Sequence, residues 1–191
     1  KRGLRRIGLA GVLESKRSRF ESSVSPHMDA AYNLARWLTR NDHDAEDVVQ
    51  EALLRAFKFY DGFRGPDARS WILKIVRNTC FTWLQTNRPT EIVAADIDEL
   101  SDTSPLFACS SAIDDPETAA LRKTEADQVD EAIASISPTF REVIVLREIE
   151  GLSYKEIANV IDAPIGTVMS RLARARSEIR RALVRASDPG N

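Results

Sequence analysis

Apolar residues in this chain recur at intervals of three and four, the period of an α-helix, and almost nowhere at the interval of two that a strand requires. In "MDAAYNLARWLTR", Ala31, Leu34, Ala35 and Leu38 form one stripe. "NDHDAEDVVQEALLRAFKFYDGF" continues with Val48, Ala52, Leu53 and Ala56, after Asn41, Asp42 and Asp44 as candidate helix caps. "RGPDARSWILKIVRNTCFTWLQTNRP" opens on a loop with Asp67 placed to cap, and closes at Pro89. Its inward residues are expected to be Ile72, Ile75, Val76, Thr79 and Trp83. From residue 90 to about 121 the periodicity is lost among prolines, Ser/Thr and acidic pairs, the pattern of a linker. Helical patterning returns with "VDEAIASI", breaks at Ser137-Pro138, and resumes. The expectation is an all-α protein. A basic flexible tail (1–19) precedes one helical domain (20–89), and an acidic flexible linker (90–126) joins it to a second (127–187).

The last two elements, "GLSYKEIANVIDAPIGTVMSRLARARSEI", are the most informative. Ser153 and Glu156 have the spacing of a capping box. Ile157, Ala158 and Ile161 face inward, and Asp162 is placed where the chain turns left-handed, a conformation Asp tolerates. After Pro164 and Gly166, Thr167 is placed to cap a second helix whose core stripe is Val168, Leu172, Ala175, Ile179 and Leu183. The opposite face carries Thr167, Ser170, Arg171 and Arg174, where a recognition helix presents its first turns to base edges. Arginine pairs bidentately with guanine, and Ser or Thr bonds a base or a phosphate. Arg176, Arg180, Arg181 and Arg185 are placed for phosphate contacts. The pair reads as a helix-turn-helix.

Charge sharpens this division. The net formal charge is only −2, but residues 1–20 carry seven Lys/Arg and one Glu, 91–121 carry eight Asp/Glu and no Lys/Arg, and 167–187 carry six Arg and one Glu. Cys80 and Cys109 do not make a disulfide framework, and His27 and His43 do not make a metal site, so no cofactor is expected. "KRGLRRIGLAGVL" is too short and too glycine-broken for a signal peptide, and its start at Lys1 fits a trimmed chain. No apolar run is long enough to span a bilayer, so no stable membrane insertion is expected and the reading is cytoplasmic.

Two surfaces of the first domain carry chemistry. Ser70, Lys74, Arg77, Asn78, Phe81 and Gln85 fall on one face of a helix. A basic, amide-bearing stripe with an aromatic suits single-stranded nucleic acid, and equally suits packing of Phe81 beneath solvated cations. Asp42, Asp44, Glu46, Asp47 and Glu51, with Gln50 among them, make an acidic face that also complements a helix N-terminus. No nucleophile–base pair, phosphate-binding glycine loop or metal cluster is present, so an enzyme is not expected.

"DAEDVVQEALLRAF", "FRGPDARSWILKIVRNTCFTWL" and "LSYKEIANVIDAPIGTVMSRLARAR", in that order and separation, resemble the bacterial extracytoplasmic-function sigma factors over residues 20–186. The resemblance implies sigma region 2 and sigma region 4 joined by a linker threaded through the polymerase. It implies core RNA polymerase (β′ clamp coiled coil and β flap), promoter DNA and an anti-sigma factor as partners. Asp47, Gln50 and Glu51 would then contact the clamp. Phe63, Arg64, Ser70, Lys74, Arg77, Asn78 and Phe81 would open and read the minus-10 element, with Asn78 at a base pocket. Thr167, Ser170, Arg171, Arg174 and Arg176 would read minus-35 duplex. The alternatives are a free-standing DNA-binding regulator and an enzyme. The Asp47–Glu51 motif argues against the first, and the second would need a metal or acid–base constellation that the sequence does not offer.

Overall fold

The computed structural model of the chain describes residues 3–90 and 116–187. Among these residues the secondary structure is helical throughout, in two compact units. The acidic segment 91–115, with Cys109, lies outside the described residues.

The N-terminal unit contains α1 (Gly3–Val24), α2 (Met28–Thr39), α3 (Asp42–Phe59) and α4 (Ala68–Asn87). The stretch expected to be a flexible tail is thus largely helical. Its Lys16 pairs with Asp61 at 2.6 Å and Phe20 is buried, so the end of α1 is anchored by contacts that composition does not reveal. Pro26, without an amide hydrogen, helps stop α1 in favour of a short 3-10 turn over Ser25–His27.

Helices α2 and α3 pack directly on each other through small side chains. Ala31, Leu34, Ala35 and Leu38 are buried on α2, and Val48, Val49, Ala52 and Ala56 on α3. Alanines at these positions let two backbones approach closely, and Leu34 and Leu38 supply the volume. Arg40 ends α2 in the left-handed region (φ 55°), and Asn41 caps α3 by accepting the Asp44 amide hydrogen at 3.0 Å. The core face of α4 is Ile72, Leu73, Val76, Thr79, Cys80 and Leu84, a stripe rotated from the expected one, with Ile75 and Trp83 only half-buried.

In the C-terminal unit, α5 (Pro116–Ser135) begins inside the segment read as linker. Proline looks like a breaker in sequence, but at the first helical position its missing N–H costs nothing. Next come α6 (Pro138–Ile144), running into a π turn (Val145–Ile149), then α7 (Tyr154–Ile161) and α8 (Ile165–Ser187). Phe140 through Leu146 are all buried, which makes α6 the central helix of the unit. The π turn closes with the Glu150 amide on the Val145 carbonyl (2.9 Å) and the Leu152 amide on the Leu146 carbonyl (2.9 Å). Gly151 at φ 68° supplies the left-handed residue this closure needs.

Two buried charges sit in α6. Arg141 donates to the carbonyls of Ile133 (3.1 Å), Ala134 (2.7 Å) and Ile136 (2.7 Å), closing the C-terminal end of α5. Carbonyls at a helix end lack intrahelical donors, and a cation there also meets the negative end of the helix dipole. Its neighbour Glu142 is 0% exposed.

Candidate nucleic-acid and polymerase interfaces

The helix-turn-helix is built by local chemistry. Ser153 Oγ accepts the Glu156 amide hydrogen (3.3 Å), and Glu156 accepts the Ser153 amide hydrogen (2.8 Å), completing the capping box at the start of α7. Asp162 ends α7 at φ 57°, ψ 48°, as its position predicts. Helix α8 starts earlier than expected. The Pro164 carbonyl receives the Thr167 (2.9 Å) and Val168 (3.2 Å) amides, so Thr167 lies in the first turn and is not the cap. Val168, Leu172, Ala175 and Ile179 are buried, and Val160 is buried on α7 where Ala158 was expected.

The predicted minus-35 residues divide into two groups. Thr167, Ser170 and Arg174 stand on the outer face, half-buried or exposed, with the Ser170 hydroxyl donating to the Thr167 carbonyl at 3.0 Å. Arg171 and Arg176 are turned toward their own unit. Arg171 reaches the buried Glu142 at 3.3 Å, and Arg176 pairs with Glu148 of the π turn at 2.7 Å. Burial pushes the Glu178 carboxyl above its ordinary value, against the opposing pull of Arg181 and Arg174. Between the outer polar residues the surface is apolar: Ile165 is 46% and Met169 54% exposed. Sequence reading passed over both, although each falls outside the core stripe at a spacing of four.

In the N-terminal unit, Phe63 and Arg64 lie on the irregular segment between the short 3-10 turn Tyr60–Gly62 and α4. The Phe63 ring lies 4.6 Å from Trp71, and Arg64 is exposed. Farther along α4, Arg77 places its guanidinium over the Phe81 ring at 4.2 Å and donates to Asn78 Oδ1 at 3.3 Å. Arg77, Asn78 and Phe81 are therefore one cluster, with Asn78 exposed and Lys74 half-buried one turn earlier.

Ser70 does not belong to that face. It is 7% exposed, and its amide donates to Asp67 Oδ1 at 2.9 Å to form the α4 cap. In the first helical turn the cap and the incoming chain decide what is covered, so the later helical phase does not extend to it. Burial pushes the Asp67 carboxyl up, but the contacts with Ser70, the His27 charge and the Arg69 amide outweigh it and hold it below the usual carboxylate value.

On α3, Asp47, Gln50 and Glu51 are all exposed on one face, with Glu51 paired to Arg55 along the helix. Beside them stands Leu54, 73% exposed. Among the described residues there is no cluster of His, Cys, Asp and Glu placed to hold a metal ion, and no helix long and apolar enough to cross a membrane.

The two helical units, the second carrying a helix-turn-helix, are matched in turn by two regions of the sigma-70 class. The model of Sigma-70 region 2 matches residues 24–90, and that of Sigma-70 region 4 matches residues 126–179. The ECF RNA polymerase sigma-E factor of Escherichia coli (strain K12) is 38% identical over 140 residues, covering 71% of this chain and 72% of that protein. The ECF RNA polymerase sigma-E factor of Haemophilus influenzae is 34% identical over 174 residues, 88% of this chain and 89% of its own. Among solved structures, the sigma factor RpoE of Bartonella quintana, crystallised with the anti-sigma factor NepR, superposes with a TM-score of 0.62. It is 25% identical and covers 86% of this chain and 96% of its own. The chain belongs to the extracytoplasmic-function sigma factors, which bind core RNA polymerase and direct it to promoter DNA.

Proposed function

We propose that this sigma factor divides its work between four surfaces. The α3 face of Asp47, Gln50 and Glu51 docks on the clamp coiled coil of the polymerase β′ subunit, with Leu54 as its apolar centre. Phe63 and Arg64, with Lys74, Arg77, Asn78 and Phe81 on α4, open the minus-10 element and hold an unstacked base. Extruding that base costs a few kcal/mol, which contacts such as those of Asn78 must offset. The outer face of α8 reads minus-35 duplex. Thr167, Ser170 and Arg174 supply its polar contacts, and Ile165 and Met169 its apolar contacts with thymine methyls. The acidic linker occupies the polymerase cleft. The factor acts without catalysis in the cytoplasm, and an anti-sigma protein of the kind bound to the Bartonella relative restrains it.

The observation that carries this reading is the sequence of surfaces along the chain. An acidic docking face, an Arg-Asn-Phe cluster and a helix-turn-helix follow one another along the chain, the first two on one helical unit and the third on the other. The test is transcription in vitro from a fragmented bacterial genome by core polymerase, with and without the chain. New start sites that share two spaced upstream motifs are expected. Duplex binding by the chain alone, without new transcripts, would make it a free-standing regulator.

The docking face gives its own expectation. Gln50→Ala combined with Glu51→Ala should weaken core-polymerase binding by about 10- to 100-fold, the loss of one or two interface contacts of about 1–2 kcal/mol each. Duplex binding by the C-terminal unit should not change. Undiminished polymerase affinity would remove these residues from the interface.

A further inference from the structure

Helix α1 has no part in the proposed division of work. It precedes the region that the family model matches, yet its last turns make specific contacts with the segment leading to Phe63 and Arg64. We infer that α1 is a brace and that Tyr60 is the positioning residue through which it fixes the minus-10 segment for strand opening.

Tyr60 begins the 3-10 turn after α3. Its hydroxyl lies 2.8 Å from Ser23 Oγ and 2.9 Å from the Arg19 carbonyl, and Ser23 Oγ lies 2.9 Å from that same carbonyl. Two hydroxyls and one carbonyl thus form a triangle in which the Arg19 oxygen only accepts, and the two hydroxyl protons serve two of its three edges at a time. The Tyr60 ring meets Phe20 of α1 edge-on at 5.3 Å, stacks toward Phe63 at 6.3 Å, and sits 6.1 Å from Trp71 of α4. Next to it, Lys16 of α1 pairs with Asp61 at 2.6 Å and holds its ammonium 5.0 Å from the Phe57 ring centre.

The segment needs this support because its backbone supplies little. Between Phe63 and Asp67 the chain is irregular, and it contains Gly65 and Pro66. The Phe63 amide bonds the Tyr60 carbonyl at 2.9 Å, so the segment is hinged on the very residue that α1 holds. A flexible stretch that must meet DNA in one pose loses rate to its own conformational freedom, and a ring stack tied to a neighbouring helix removes that freedom beforehand. Composition hides this, because the basic N-terminal stretch looks like a solvated tail.

The inference rests on the minus-10 reading for its functional consequence, but not for the brace itself, and the experiment separates the two. Tyr60→Phe keeps the ring and removes the hydroxyl, and Ser23→Ala removes the other corner of the triangle. In the full free chain, limited trypsin digestion after Arg64 should speed up about fivefold in Tyr60→Phe, the effect of one lost net hydrogen bond, and less in Ser23→Ala, which leaves Tyr60 its bond to the Arg19 carbonyl. Cleavage after Arg55 and Arg77 should keep its wild-type rate. The double variant should cut no faster than Tyr60→Phe, because both changes break one linkage. A wild-type rate at Arg64 in Tyr60→Phe, or equal acceleration at all three arginines, would overturn the brace.

In the second arm, core polymerase with each variant is tested on a promoter fragment recovered in the genome assay, probing minus-10 thymines with permanganate. Opening of the duplex should slow in step with the loosened loop, about fivefold for Tyr60→Phe and less for Ser23→Ala, while a fragment already mismatched at minus-10 should be used at the wild-type rate. Equal slowing on both templates would overturn the positioning role. Altered trypsin kinetics with no wild-type opening on any fragment would keep the brace and overturn the minus-10 reading instead.

Discussion

Arg141→Ala is expected to lower the melting midpoint of the C-terminal unit by about 15–20 °C, from a loss of about 3 kcal/mol in a domain of this size. The guanidinium is fully buried and is the donor to three carbonyls around the end of α5. Truncation removes the donor that Arg141 supplies to those carbonyls and opens a cavity, two of the few mechanisms that produce large single-site effects. Arg141→Lys should recover only part of the loss, since an ammonium cannot serve a fan of acceptors as a planar fork does. The chain provides its own control. All three tryptophans, Trp37, Trp71 and Trp83, lie in the N-terminal unit. Tryptophan fluorescence should therefore keep its wild-type transition while the circular dichroism transition of the C-terminal unit shifts. Joint movement of both signals would contradict an effect confined to the C-terminal unit.

The second large effect concerns Arg171, where sequence and structure assign different roles. On the helical wheel it is a base reader. In the structure its guanidinium faces Glu142, a carboxylate with no solvent exposure. Arg171→Ala should cost about 3 kcal/mol of C-terminal stability, because it removes a cation that bonds a fully buried carboxylate. Minus-35-dependent transcription should fall as well. The double variant Arg171→Ala with Glu142→Gln separates the causes. Neutralising the carboxylate should restore most of the stability, read by circular dichroism. If promoter use returns with it, Arg171 is a scaffold for the recognition helix; if promoter use stays low, Arg171 also contacts DNA.

This pair shows where sequence reading stopped. Features set by local chemistry were legible: the Ser153–Glu156 box, the left-handed Asp162, the Asn41 and Asp67 caps, and the alanine and leucine stripes of α2. Each depends on residues within one or two turns. The motifs on α3, α4 and α8 were legible for the same reason, and carried the family with them. What stayed hidden was set by distant packing. Arg171 and Arg176 find Glu142 and Glu148 at separations of 29 and 28 residues. One signal was available: Glu142, next to Arg141, leads into the apolar run Val143–Leu146, and a carboxylate there needs a partner. Ser70 was misplaced because helical phase was extended into a capped first turn. The anchored end of α1 was invisible because Lys16 and Phe20 are ordinary residues until Phe57, Tyr60 and Asp61 are brought beside them.

The inward turn of two arginines also changes how the recognition helix responds to electrolyte. Residues 167–187 hold six arginines, and duplex affinity would fall with salt at a log–log slope of about −5.4 if each displaced one condensed counterion. With Arg171 and Arg176 neutralised by Glu142 and Glu148, Arg174, Arg180, Arg181 and Arg185 remain to do so. The slope then becomes about −3.6. A reader of this kind keeps more of its grip as ionic strength rises, and depends correspondingly more on the shape and base contacts of its first turns.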